Sequence, residues 1–162
     1  MMATPALTEE VRIAPGSADQ IDAVMKVMNA AFGEKFGEAW TRSQLSGILP
    51  MAGVFLTLAI DCVRESVLGF SLVRTVADES ELLLIAVVPD EQRRGVGTLL
   101  LDHFLDRARK DQVSRVHLEV RDGNPAIGMY LSAGFSPVGR RRNYYHAGSG
   151  KRYDAITLSC EL

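Results

Sequence analysis

The chain has 162 residues, of which 47% are hydrophobic and 23% are charged, and its formal net charge is −2. This length fits one domain, and the composition is that of a globular protein rather than a disordered one. A slightly acidic balance argues against a protein that binds nucleic acid by neutralising its phosphates in bulk. We therefore expect a flexible N-terminus over 1–10, a single domain over 11–162 and no direct nucleic-acid partner.

The N-terminal half alternates between strand and helix patterns. Val11–Ala14 predicts a short strand, and apolar residues at three-to-four spacing after Asp19 predict an amphipathic helix. Thr41-x-x-Gln44 is a capping box, which predicts the start of a short helix. Segments rich in Val, Leu and Phe then predict a hairpin at Val54–Cys62 and Val67–Thr75 and a third strand at Glu81–Val88.

The C-terminal half begins with helical periodicity from Val96 to about Lys110, and alternation around 116–121 predicts a further strand. A strand–helix–strand unit needs a crossover, so the strands at 81–88 and 116–121 should be parallel. The remaining predicted elements are a short helix from about Pro125 to Ala133 and two strands, roughly Phe135–Tyr145 and Arg152–Cys160. This order predicts an α/β fold with a mixed, mostly antiparallel sheet.

Apolar stretches such as Val54–Ile60 are far shorter than the roughly 20 residues that cross a bilayer. No secretory signal precedes Arg12, so we expect a cytoplasmic protein without a membrane partner. Cys62 and Cys160 lack C-x-x-C spacing, and both are predicted to be thiols that pack as small buried hydrophobic residues. No cluster of side chains has metal-ligand spacing, and no metal is expected.

The segment 85–98 (IAVVPDEQRRGVGT) carries the strongest functional signal, because a buried strand runs through a glycine-containing loop into a helix. Free N–H groups at the helix start, the helix dipole and two arginines together suit a phosphate or diphosphate. Gly95 and Gly97 would let such a ligand approach the backbone. The Walker pattern is absent, and Leu100 stands where the Rossmann fingerprint needs a third glycine.

The string QRRGVG at 92–97 resembles the acyl-CoA signature (Q/R-x-x-G-x-G/A) of the GNAT superfamily of N-acetyltransferases. The order of predicted elements matches that superfamily over nearly all of the chain beyond residue 10. Downstream, LEVR at 118–121, YLSAGF at 130–135, RRNYY at 141–145 and DAI at 154–156 are similar to the RimI-type ribosomal-protein alanine N-acetyltransferases. The resemblance implies a GNAT fold, with splayed parallel central strands and helices on both faces.

In that superfamily the diphosphate of acetyl-CoA lies on the glycine loop, and pantetheine inserts between the splayed strands as a false strand. A splayed strand leaves backbone N–H and C=O groups unpaired until a partner pairs with them. The resemblance therefore implies acetyl-CoA as co-substrate, bound by Ile85, Ala86, Val87, Gln92, Arg93, Arg94, Gly95, Val96, Gly97, Thr98, Asn124 and Tyr130.

Glu119 matches the carboxylate base of the superfamily, and Tyr130 matches its acid. Glu119 shares a strand face with Arg121, away from the aliphatic residues, although an ordinary solvated glutamate fits the same pattern. A phenol at position 130 can hydrogen-bond a thiolate as charge develops, although a tyrosine that caps the core fits as well. One departure is that six positions, rather than seven, separate Asn124 from Tyr130, so one residue is missing at the start of this helix.

Trp40, Tyr144 and Tyr145 are the candidates for contact with the acceptor. Tyr144 and Tyr145 precede the last loop, where members of the superfamily close over an acceptor peptide, and Trp40 matches the opposite wall. The two tyrosines also fit a purely structural role on a sheet face. Trp40 also fits the role of a tryptophan that pins the second helix to the core. The basic run at 140–142 fits either a solvated strand face or contact with an acidic protein surface.

The resemblance implies direct transfer of acetyl from acetyl-CoA to a free amine, as in N-terminal α-amine acetylation of a protein such as a ribosomal protein. An α-amine with a pKa of about 8 is partly neutral at cellular pH, whereas a lysine amine is not. The alternatives are transfer to a small amine, which the tyrosine pair disfavours, and a noncatalytic acyl-CoA-binding module, which Glu119 and Tyr130 disfavour. We expect a monomer or a weak dimer.

Overall fold

A computed structural model of the chain describes residues 10–162. Except for Glu10, the expected flexible N-terminus lies outside the described residues. In chain order, the elements are β1 Val11–Pro15, α1 Ile21–Phe32, α2 Arg42–Ile48, β2 Val54–Asp61, β3 Val67–Val76, β4 Glu79–Val87, α3 Val96–Lys110, β5 Arg115–Arg121, α4 Ile127–Ser132, β6 Ser136–His146 and β7 Arg152–Glu161.

The strands form a seven-stranded sheet across the described residues, in the order β1-β2-β3-β4-β5-β7-β6. Helix α3 crosses over between β4 and β5, which are parallel, and each of the other neighbouring pairs is antiparallel. The predicted hairpin between β2 and β3 and the predicted mixed, mostly antiparallel sheet are both confirmed. No helix within 10–162 has the length and apolar character needed to cross a membrane.

Backbone pairing between β4 and β5 stops halfway along the strands. It runs from Glu79 opposite Arg115 to Leu82 opposite Leu118. Beyond that point β4 keeps its other partner β3 as far as Val87, and β5 keeps β7 to its own last residue. The two strands therefore diverge, and their facing edges carry backbone N–H and C=O groups that no neighbouring strand pairs.

Helices cover both faces of the sheet, as the resemblance implied. Helices α1 and α2 pack on one face of β2, β3 and β4. Helix α3 packs on the other face of these strands and, together with α4, on β5 and β7. The capping box at Thr41 is present, with Gln44 N–H donating to Thr41 Oγ1 at 3.2 Å. A second capping box, Ser17 with Gln20, precedes α1 and caps the N-terminus of a short 3-10 turn at Ala18–Gln20.

Two sequence expectations differ from the fold. Helix α4 is shorter than predicted, because Asn124 Oδ1 accepts a hydrogen bond from Ala126 N–H at 2.8 Å and holds the preceding residues in a turn. The burial predicted for the cysteines is wrong for Cys62, which is exposed just after β2, and Cys160 is only half-buried. Both are free thiols.

Candidate active site

The gap between the diverging strands opens into a cavity of about 710 Å³. Its walls are the unpaired end of β4, the glycine loop at 92–98, the end of β5, the start of α4 and the α1–α2 loop at 33–41. Clefts that bind organic ligands typically measure roughly 300–1,000 Å³. The cavity is therefore large enough for an extended ligand that runs along the free edge of β4.

The glycine loop has two residues in the left-handed region of backbone conformation. Arg93 has φ +62° and Gly95 has φ +91°, both in the left-handed region. Gly95 is also the N-cap of α3, so the first N–H groups of that helix have no partner within it. Gln92 Nε2 donates to the backbone oxygen of Val87 at 2.9 Å, which ties the loop to the end of β4.

The residues expected to bind the co-substrate fall into two groups. Arg94 lies outside the cavity lining, paired with Glu91 and Glu10, and Val96 is buried in the core behind the loop. The members of the predicted set that do line the cavity are Ile85, Ala86, Val87, Gln92, Arg93, Gly95, Gly97, Thr98, Asn124 and Tyr130.

Glu119 projects into the cavity from the unpaired end of β5, and its side chain is 13% exposed. Its Oε2 accepts a hydrogen bond from Thr157 Oγ1 at 2.9 Å, and its Oε1 lies 3.1 Å from Arg141 Nε. A carboxylate with this burial and these partners is not an ordinary solvated strand residue. It is held in one orientation at the wall of a cavity.

Tyr130 reaches the same cavity from α4 and is buried, with its ring edge-to-face against Phe135. Burial, and after it the negative charge of Glu38, raise the pKa of the Tyr130 phenol far above its ordinary value. The hydroxyl is therefore held protonated throughout the neutral pH range. It can donate a hydrogen bond to negative charge that develops beside it.

The three candidates for acceptor contact are placed differently. Tyr145 lines the cavity, and its hydroxyl lies 3.4 Å from the backbone oxygen of Glu119. Burial is the largest cause of a pKa raised far above the ordinary value for Tyr145, with Glu38 the next cause. Tyr144 is exposed and packs edge-to-face on Tyr145, outside the cavity lining. Trp40 packs half-buried against the core under α1, also outside the lining.

A second carboxylate at the cavity was not found by sequence reasoning. Glu38, on the α1–α2 loop, is 10% exposed and accepts a hydrogen bond from Asn124 Nδ2 at 2.9 Å. Its Oε1 also lies 3.3 Å from Nε of Arg121, whose side chain is only 8% exposed. The Arg121 guanidinium stacks on the Phe36 ring at 3.5 Å. This set forms a buried ion pair that ties the loop to β5.

Asn124 has both of its polar groups engaged within the protein. Its amide donates to Glu38, and its carbonyl accepts from the Ala126 N–H. The predicted contact with pantetheine would therefore need one of these two hydrogen bonds to exchange.

The backbone of Gly37, at φ +71°, lies so close to the His146 carbonyl that a Cβ would overlap it, so the α1–α2 loop also meets the β6–β7 hairpin.

Comparison with known proteins places a chain of this fold and site among the acetyltransferases. The model of the acetyltransferase (GNAT) family matches residues 21–135. The chain belongs to this family.

Two curated relatives are described as ribosomal protein bS18-alanine N-acetyltransferases. That of Haemophilus influenzae is 38% identical over 99 residues, which cover 61% of this chain and 68% of the relative. That of Escherichia coli is 45% identical over 95 residues, which cover 58% of this chain and 64% of the relative. The aligned stretches thus span about two thirds of these relatives.

A solved structure agrees over a longer part of the chain. The crystal structure of the ribosomal-protein-S18-alanine N-acetyltransferase from Escherichia coli has a TM-score of 0.84 and 29% identity. The superposition covers 94% of each chain. The predicted family and fold are therefore both confirmed.

Proposed function

We propose that this protein is an acetyl-CoA-dependent N-acetyltransferase that moves acetyl directly to the N-terminal α-amine of a protein, with a ribosomal protein as the leading candidate. The observation that carries the proposal is one cavity in which the free edge of β4, the glycine loop, Glu119 and Tyr130 meet. The names of the curated relatives support the choice of an α-amine as acceptor.

The residues at the cavity fit acetyl-CoA as a substrate. The edge of β4 beyond Leu82 offers alternating N–H and C=O groups to an amide-containing chain such as pantetheine. The N-terminus of α3 and the cationic side chain of Arg93 suit a diphosphate. Gly97 faces the cavity without a side chain, which leaves room for the ligand beside the backbone.

Transfer removes two protons from the nitrogen of an α-ammonium and delivers one proton to the sulfur, and the cavity holds one side chain suited to each end of this reaction. The ionised carboxylate of Glu119 takes the proton that the α-ammonium must lose before its nitrogen can attack the thioester carbon. The new C–N bond forms as the C–S bond breaks, the sulfur leaves with the electron pair, and the nitrogen releases its second proton to solvent. The hydroxyl of Tyr130, which stays protonated at neutral pH, donates a hydrogen bond to that sulfur as negative charge develops on it and gives the sulfur a proton that the phenol regains from solvent.

A direct route without an acyl-enzyme is consistent with where the thiols lie. Neither Cys62 nor Cys160 belongs to the described lining of the cavity. The acetyl group would therefore pass from sulfur to nitrogen within one complex of both substrates. An acetylated cysteine trapped during turnover would contradict this part of the proposal.

The proposal is tested by mapping the acetylated atom. A peptide with a free N-terminal alanine and an internal lysine is incubated with acetyl-CoA, beside the same peptide with a blocked N-terminus and a polyamine such as spermidine. Mass spectrometry should find acetyl on the α-amine, with the blocked peptide and spermidine at least about 100-fold slower. Equal transfer to the blocked peptide, or faster transfer to spermidine, would overturn the choice of acceptor.

A matched variant tests whether Glu119 takes part. Glu119→Gln keeps the shape of the side chain and removes its charge, so acetyl transfer should fall while acetyl-CoA binding by calorimetry is retained. Wild-type rates in this variant would assign the proton transfer to another group.

A further inference from the structure

Strand β6 carries a bulge beside the cavity. Arg141 pairs with Ala155 and Tyr145 pairs with Tyr153, so β6 advances by four residues where β7 advances by two. Asn143, within the bulge, has φ +54°, and its N–H donates to Asp154 Oδ1 at 2.9 Å. Because β6 has two extra residues at the bulge, an even number, Arg141 and Tyr145 remain on the same face of the sheet.

The rows of paired residues explain how Arg141 reaches Glu119. Across β5, β7 and β6, one row is Arg121, Ala155 and Arg141, and the next row on the same face of the sheet is Glu119, Thr157 and Gly139. Ala155 is small, so the Arg141 side chain can cross over it diagonally. Its Nε thereby comes within 3.1 Å of Glu119 Oε1.

Each oxygen of the Glu119 carboxylate then has one partner within the protein. Thr157 donates to Oε2 from β7, and Arg141 reaches Oε1 from β6, which leaves lone pairs free on both oxygens. The Arg141 side chain is 61% exposed, whereas that of Glu119 is 13% exposed. The arginine therefore lies on the solvent side of the carboxylate, between it and bulk water.

We propose that Arg141 is a positioning residue, whose guanidinium fixes the Glu119 carboxylate so that a free lone pair faces the incoming α-ammonium. This inference rests on the proposed role of Glu119 as the base. The basic run at 140–142 is thus not a uniform solvated face, because Arg140 pairs with Asp122 and Asp154 and Arg141 pairs with Glu119.

The first test separates kcat from KM. Arg141→Ala should lower kcat about tenfold or more, because the largely buried Glu119 carboxylate loses its ion-pair partner, with the KM values of both substrates within about twofold of wild type. Arg141→Lys keeps the charge and should retain most of the rate. Arg142→Ala is the matched control, since it removes an arginine from the same bulge at a position without a described contact to Glu119.

The second test asks whether a free guanidinium ion restores the lost function. Because Arg141 is largely exposed, n-propylguanidinium at millimolar concentration can enter the space that Arg141→Ala leaves. It should raise kcat of that variant several-fold and leave the wild type unchanged. Tetramethylammonium at equal ionic strength has the same charge but no N–H donor, and it should not raise kcat.

Three results would overturn the inference while the proposed function stands. They are wild-type kcat in Arg141→Ala, a loss confined to the KM of the acceptor, and recovery that is no better with n-propylguanidinium than with tetramethylammonium. A wild-type enzyme that acetylates no α-amine would instead refute the proposed function itself.

Discussion

At the scale of single residues, the site combines a carboxylate held by two partners with a phenol held neutral by burial. Tyr130→Phe keeps the ring packed against Phe135 and removes the proton, so kcat should fall roughly 100-fold while acetyl-CoA affinity stays nearly unchanged. Single-turnover rates of both enzymes, with calorimetric binding of acetyl-CoA, measure the two effects. A Tyr130→Phe enzyme with wild-type kcat would mean that another group or water protonates the sulfur.

The pKa of Tyr130 makes a separate prediction about pH. Burial and the charge of Glu38 raise this pKa above its usual value near 10, so the phenol keeps its proton as the pH rises. Tyr130 should therefore cause no loss of kcat between about pH 6 and 9. A basic limb in that range that disappears in Tyr130→Phe would contradict the assignment.

Replacing Glu38 measures how much the buried ion pair between Glu38 and Arg121 contributes to the free energy of unfolding. Glu38→Gln preserves an oxygen that can accept from Asn124, but it leaves the buried Arg121 guanidinium without its counter-charge. Loss of one partner of a buried pair typically costs about 3 kcal/mol of unfolding free energy, measured by chemical denaturation. Glu34→Gln, an exposed change in the same loop, should stay within about 0.5 kcal/mol of wild type. Equal effects of the two changes would argue against the ion pair.

At the scale of elements, the glycine loop and the first turn of α3 should form the diphosphate site. A Cβ at Gly97 would meet Met129 Sδ at 3.4 Å, so a side chain can be added there without a severe overlap. Gly97→Glu should abolish acetyl-CoA binding by calorimetry, because it places a negative charge beside the helix N-terminus that favours an anion. Gly97→Gln has a similar size without the charge and should bind more tightly than Gly97→Glu. Wild-type affinity in Gly97→Glu would mean that the diphosphate site is elsewhere.

At the scale of the whole molecule, a single domain over 11–162 should unfold in one cooperative step. Trp40, the single tryptophan of the chain, packs on the core under α1 and reports on one face of the sheet, whereas far-UV circular dichroism reports on all elements. The two denaturation curves should coincide. Acetyl-CoA at about 100 times its Kd should add about 2.7 kcal/mol to the unfolding free energy. Separate transitions by the two probes would argue for more than one folding unit.

The sequence determined the elements and the motif that marks the site. Hydrophobic periodicity, the capping box at Thr41 and the alternation along β5 act over a few neighbouring residues, so the helices and strands follow from local physics. The glycine loop and the facing of Glu119 away from the aliphatic residues of β5 were predictable for the same reason. The resemblance to the family likewise rests on short contiguous strings.

Only the tertiary structure decided which side chains share the cavity. Glu38 lies 86 positions from Asn124, and Arg141 reaches Glu119 across an intervening strand, so no local pattern encodes either contact. Tyr144, next to Tyr145 in sequence, lies outside the cavity lining because neighbouring strand residues point to opposite faces and a bulge intervenes. These placements depend on how loops and strands dock on one another, and the free energy of docking is spread over contacts between residues that are distant in sequence.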